Sequence, residues 1–140
     1  MSMAPAAKIL IVEDDRDTRG ALRDVLAQEG YQPVAVADLR AAERCLDKHG
    51  APALALIDFT LPDGIGTTLA RSLRSVGIPA LMMSAYPTWL RESLHPDPDW
   101  FAKPLDLTRL LSSIRELVDL GPKALERPRL SPRRVRGRTA

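Results

Sequence analysis

Residues 53–66 read A-L-A-L-I-D-F-T-L-P-D-G-I-G. The apolar run from Ala53 to Ile57 is too short for a buried helix and passes at once into the turn chemistry of Pro62-Asp63-Gly64. It fits a strand covered on both faces of a parallel sheet. Such a strand delivers Asp58 to its C-terminal end. In an open α/β sheet, ligands bind in the crevice beyond the carboxyl ends of the strands, which makes Asp58 a candidate reacting group. The plain alternative is an Asp that only caps the following turn, a common use of this residue type. The remainder of the chain decides between the two.

Upstream, Lys8 to Val12 (K-I-L-I-V) is a second short apolar run, followed directly by Glu13, Asp14 and Asp15. From Asp17, apolar residues at Ala21, Leu22, Val25 and Leu26 recur at helical spacing, and Gly30 closes the pattern. Pro33 to Ala37 reads as a strand near the sheet edge, because its proline cannot donate to a ladder. Asp38 then caps a helix with Leu39, Ala42, Cys45 and Leu46 on one face, ending at Gly50. Downstream, Thr67 to Val76 is helical and stops at Gly77, and Pro79 to Met83 is a fourth strand with Ser84 at its end. Three prolines between Ala85 and Asp99 leave room for only a short helix around Thr88 to Leu94. Trp100 to Ala102 is a brief fifth strand before Lys103-Pro104. Asp106 caps a last helix carrying Leu107, Leu110, Leu111, Ile114, Leu117 and Val118, with Gly121-Pro122 as the stop. Strands alternating with helices give a doubly wound α/β domain.

With 140 residues the chain suits one domain with one core. Cys45 is the only cysteine, so no internal disulfide forms, and a structural thiol is the expected role. The start lacks the apolar core of a signal peptide and no run reaches the length of a membrane span, so a cytoplasmic location is expected. The net charge of +2 is unevenly spread. From Gly121 to Ala140, seven Lys or Arg stand against Glu126, which puts +6 in the tail and −4 in the rest. Residues 1–7 and the Pro/Arg-rich tail 121–140 are expected to be disordered, flanking a domain over 8–120. A solvated tail is the simpler reading of a basic run without aromatic partners, against binding to a polyanion. His49, His95 and Trp89 are expected to be surface or packing residues rather than ligands.

The strand ends converge. The first supplies Glu13 and Asp14, the third Asp58, the fourth Ser84 and the fifth Lys103. Three carboxylates crowded at one edge repel unless a cation neutralises them, and hard oxygen donors suit Mg²⁺. With its charge screened, Asp58 becomes a nucleophile for a phosphoryl group, and Ser84 and Lys103 are placed to hold the phosphoryl oxygens.

These residues stand as V-E-D-D (Val12 to Asp15), D-F-T-L-P-D-G (Asp58 to Gly64), M-S-A (Met83 to Ala85) and K-P (Lys103-Pro104), in order and at matching strand ends. In that pattern the chain resembles the receiver domain of bacterial two-component response regulators, over roughly Lys8 to Asp119. The resemblance implies a flavodoxin-like sheet in the order 2-1-3-4-5 with helices on both faces. It implies that Asp58 takes a phosphoryl group from a phosphohistidine on a sensor kinase or phosphotransfer protein. It further implies that Asp14, Asp58 and the carbonyl of Thr60 bind Mg²⁺, with Glu13 reaching the ion through water. Ser84, Lys103 and Trp100 take the family's switching roles, Trp100 being an unusual aromatic at its place. The face formed by helix 88–94, strand 100–102 and the last helix is then the docking surface for a downstream protein or for a second copy of the chain.

Too few residues follow the last helix for a DNA-binding output domain, so a stand-alone receiver signalling by binding or phosphorelay is expected, without turnover of a small substrate. Two alternatives differ in kind. One is a phosphatase of the haloacid dehalogenase type, which shares the topology but generally has Asp-x-Asp where this chain has Thr60. The other is a degenerate receiver that binds partners without phosphorylation.

Overall fold

The computed structural model describes residues 5–86 and 99–121. Five parallel strands form the main sheet: β1 (Lys8–Val12), β2 (Gln32–Val36), β3 (Leu54–Asp58), β6 (Ala80–Ser84) and β7 (Trp100–Ala102), in the order β2-β1-β3-β6-β7. This is the expected 2-1-3-4-5 arrangement. A separate two-stranded ladder, β4 (Thr60–Leu61) with β5 (Gly64–Ile65), lies between β3 and the next helix. The helices are α1 (Arg16–Gln28), α2 (Leu39–His49), α3 (Gly66–Ser75) and α4 (Leu107–Leu120). The short helix expected around 88–94, Trp89, His95 and the basic tail lie outside the described residues.

The sheet carries two apolar layers, as its continuous hydrophobic strands require. On one face Leu10, Val12, Ile57 and Met82 pack with Ala42, Leu69, Ala70 and Leu73 of α2 and α3. On the other, Ile9, Ile11, Leu56, Leu81 and Met83 pack with Leu22 and Leu26 of α1 and Leu110 and Ile114 of α4. All five residues of β3 and of β6 are buried, as central strands covered by helices on both faces require. Strand β2, with its Pro33, is an edge strand. Cys45 is half-buried against the first layer.

The helix boundaries follow their caps. Asp15 Oδ2 accepts the Thr18 N–H at 2.8 Å, Asp38 Oδ1 the Ala41 N–H at 2.7 Å and Asp106 Oδ1 the Arg109 N–H at 3.2 Å. Gly50 and Gly121 close α2 and α4 with φ of 81° and 63°, a conformation few other residues adopt. Helix α3 is the exception, for Ile65 stands at its N-cap without a side-chain bond. A contact made by its first residue explains the start. A Cβ on Gly66 would collide with the carbonyl oxygen of Asp58 and would lie 2.6 Å from Ile57 Cγ2. Gly66 lets α3 begin against the backbone of β3, and its N–H donates to Phe59 O at 2.8 Å.

Among the described residues no helix is long and apolar enough to cross a membrane.

Candidate functional site

The carboxyl edge of the sheet gathers the residues singled out from the sequence. The Glu13 N–H donates to Val36 O at 3.0 Å, continuing the β1–β2 ladder one residue past the strand. Its side chain is thereby turned into the edge and fully buried. Asp58 ends β3, and the following Phe59 N–H is held by Met83 O at 2.8 Å. The Lys103 N–H donates to Ser84 O at 2.8 Å, which extends the β6–β7 pairing and aims the lysine across the edge. Its Nζ donates to Glu13 Oε1 at 2.6 Å and to Asp58 Oδ2 at 3.0 Å. One ammonium thus bridges two buried acids from different strands.

Asp14 is exposed beside them, and one carboxylate oxygen each from Glu13, Asp14 and Asp58 lie within 4.8 Å of one another. Oxygen donors at this spacing suit a hard divalent cation and offer nothing to a soft metal. The third acid of the run has a different job. Asp15 caps α1, accepting from both the N–H and the hydroxyl of Thr18, and its own N–H donates to Glu13 Oε2 at 3.0 Å. Both Glu13 oxygens therefore have protein donors.

Electrostatics follows from this packing. Burial pushes the Glu13 carboxyl up from 4.5, only partly offset by hydrogen bonds from Lys103 and Asp15, and the nearby Asp58 charge adds to the rise. Burial would lower Lys103, but its hydrogen bonds to Glu13 and Asp58 outweigh it, and the amine ends above its ordinary 10.5.

Ser84 is buried, and its Oγ accepts the Tyr86 N–H at 3.0 Å. Thr60 is exposed, with its N–H directed at Asp58 Oδ1 at 3.4 Å. Trp100 is buried, its ring 5.3 Å from that of Phe59, and Phe59 in turn meets Tyr86 edge-on at 5.5 Å. A chain of three rings therefore runs from Tyr86 through Phe59, the residue after Asp58, to Trp100, three residues before Lys103.

Four contributors were not singled out from the sequence. Phe59 stood in the motif as an ordinary apolar residue, and Gly66 as one glycine among several in a turn. An apolar Ile65 before that glycine, where a capping side chain is usual, was the available signal. Asp63 was read only as a turn residue, yet its carboxylate accepts the Leu39 N–H at 2.9 Å and the Arg40 N–H at 3.0 Å, docking the β4–β5 hairpin on the start of α2. Arg19 donates to the carbonyls of Glu13 and Asp14, a contact without a sequence signature.

A doubly wound sheet presenting three carboxylates, a hydroxyl and a lysine at one carboxyl edge defines a class: a domain equipped to accept a phosphoryl group on an aspartate. The profile of the response regulator receiver domain matches residues 9–115, so the chain belongs to that family, one of phosphoacceptor signalling domains rather than metabolic enzymes. The chain is 32% identical over 117 residues to the virulence transcriptional regulatory protein PhoP of Salmonella typhimurium, covering 79% of this chain and 51% of that one. It is 29% identical to the transcriptional regulatory protein PhoP of Escherichia coli over the same length, covering 79% and 52%. The chain thus spans about half the length of the curated relatives it matches. Among solved structures, a CheY-like receiver domain protein from Methanospirillum hungatei superimposes with a TM-score of 0.69 at 26% identity, covering 81% of this chain and 94% of that one. A putative response regulator from Chloroflexus aurantiacus gives 0.71 at 25% identity, covering 81% and 98%.

Proposed function

We propose that Asp58 is the phosphoacceptor and that a histidine kinase or phosphotransfer protein is the donor. The observation that carries this reading is the bridge from Lys103 Nζ to Glu13 and Asp58, which keeps a cation beside the reacting carboxylate. In the transfer, an Asp58 oxygen bonds to phosphorus as the phosphorus–nitrogen bond of the phosphohistidine breaks, and the electron pair of that bond leaves with the imidazole. Lys103 exchanges its hydrogen bond to Asp58 for one to a phosphoryl oxygen, and Glu13 keeps its ammonium at the edge meanwhile. The Ser84 hydroxyl donates to a second phosphoryl oxygen.

The donor set fits Mg²⁺. Asp14, Asp58 and the Thr60 carbonyl would hold the ion, with Glu13 behind a water. When bound it supplies charge neutralisation between the acids and the incoming phosphoryl group.

Signalling follows from a shift between two conformations of the loops after β3 and β6 and of the Trp100 region, read by a downstream protein or a second copy of the chain. Intact-mass spectrometry after incubation with a small phosphodonor tests the reading. One phosphoryl adduct that needs both Mg²⁺ and Asp58 is expected, and an adduct of equal yield on Asp58→Asn would sink it.

A further inference from the structure

Arg19 stands on the first turn of α1, outside the acidic cluster, and is half-buried. Its Nη1 donates to the carbonyl oxygen of Glu13 at 3.0 Å and to that of Asp14 at 3.1 Å. These two carbonyls lie past the end of β1 and past the Glu13 N–H, which makes the β1–β2 ladder's bond to Val36 O. Two bonds from one guanidinium nitrogen hold successive peptide planes, and with them the directions in which the Glu13 and Asp14 side chains leave the backbone. For Glu13 this adds to its side-chain bonds with Lys103 and Asp15. Exposed Asp14 depends more on its backbone.

We infer that Arg19 is a positioning residue: it sets the backbone that aims Asp14 and Glu13, and Mg²⁺ binding depends on it although its charge has the wrong sign for a cation site. The inference rests on the metal-assisted reading above and extends it to a residue that touches neither ion nor phosphoryl group.

Two physical effects make opposite predictions. If Arg19 acts on the site only as a nearby positive charge, removing it strengthens attraction for a divalent cation. If it acts by holding the loop, removing it lets Asp14 wander and weakens binding. Loss of an outer-shell partner typically costs 10- to 100-fold in metal affinity. Arg23, one turn further along α1, carries the same charge but pairs on the surface with Asp24 at 3.7 Å. It serves as the charge control.

The experiment is a Mg²⁺ titration of the full chain, followed by backbone amide shifts, on wild type, Arg19→Met, Arg19→Lys, Arg23→Met and Asp14→Asn, with urea midpoints in EDTA for each. Arg19→Met should weaken Mg²⁺ binding by about tenfold. Arg23→Met should stay near wild type or bind slightly tighter. Arg19→Lys should fall between, because its shorter stem and compact ammonium reproduce the two carbonyl bonds of Nη1 less well. Binding by Arg19→Met as tight as wild type, or an equal loss in Arg23→Met, overturns the inference. Should Arg19→Met fail to fold in EDTA, Arg19→Lys decides, and wild-type affinity there overturns it too. Undiminished binding by Asp14→Asn would instead remove the metal reading itself, and this inference with it.

Discussion

Lys103 Nζ lies closer to Glu13 Oε1, at 2.6 Å, than to Asp58 Oδ2, at 3.0 Å. The partner it holds more closely is the fully buried acid, not the proposed phosphoacceptor. On the phosphoacceptor reading this ordering suits a lysine that gives up Asp58 for a phosphoryl oxygen while its shorter bond to Glu13 keeps it at the edge.

Removing the lysine should therefore cost more in folding than a surface ion pair would. Lys103→Met leaves Glu13 buried without its cation, and breaking a buried pair from one side costs about 3 kcal/mol or more, against about 0–1 kcal/mol for an exposed pair. Urea denaturation of Lys103→Met at neutral pH should show this loss. It should shrink on acidification, because Glu13, already raised from 4.5 by burial, escapes the penalty by taking a proton. A deficit independent of pH would mean that the methionine is simply packed badly.

Asp63 gives a pH dependence of the other sign. The Leu39 and Arg40 N–H groups at the start of α2 hold its carboxyl below the ordinary 3.8. A depressed folded pKa contributes stability that is present above 3.8 and is lost as the pH falls through the lower folded value. Asp63→Asn should melt below wild type at neutral pH, and the two melting curves should converge in strong acid. Melting curves that stay apart at every pH would show that the hairpin is docked by packing instead.

Gly66 and Gly77 separate two reasons for a fold to need a glycine. At Gly77 φ is 90° and the space around an added Cβ is open, so Gly77→Ala meets backbone strain alone, about 1 kcal/mol. At Gly66 the added carbon strikes the backbone of Asp58 and lies 2.6 Å from Ile57 Cγ2. Neither β3 nor α3 can yield without moving the other, and overpacking of this kind costs about 2–3 kcal/mol. Gly66→Ala should thus lose more stability than Gly77→Ala in urea, and should also slow phosphoryl uptake, since Asp58 moves with the strand. Equal losses and an unchanged rate of mass gain would refute the close-packing account.

The sequence pattern reached the sheet and its carboxyl edge because both are written in short-range terms. Apolar runs such as Lys8 to Val12 and Ala53 to Ile57 report burial, and the acids and lysine directly follow such runs. What it missed depends on packing between distant segments. Asp63 reaches α2 across 24 residues of chain, Lys103 reaches Glu13 across 90, and no periodicity encodes either bond. The run Glu13-Asp14-Asp15 also looks uniform in sequence, yet Glu13 is buried against a lysine, while of the two exposed members Asp15 caps a helix and Asp14 joins the carboxylate cluster. Burial and the start of α1 divide them. Ser84 was expected just beyond its strand and instead closes β6, because its carbonyl still pairs with Lys103.

The three-ring contact makes Trp100 a reporter on Asp58. Phe59 is joined to Asp58 by a peptide bond and packs 5.3 Å from the indole, so a displacement of the β3 end reaches Trp100 through one intervening ring. In a Trp89→Phe background, Trp100 is the sole tryptophan of the chain. Its emission should change on addition of Mg²⁺ and a small phosphodonor, and should not change in Asp58→Asn. Phe59→Leu keeps the site apolar but removes the ring contacts, which contribute about 0.5–1.5 kcal/mol per aromatic pair. It should cut the emission change by roughly half or more while the phosphoryl adduct still forms, because the aromatic contact is lost and the reacting groups are not. A full emission response in Phe59→Leu would mean that Trp100 senses the edge through Lys103 and the β6–β7 ladder instead, since Lys103 follows Trp100 by three residues and pairs with Ser84.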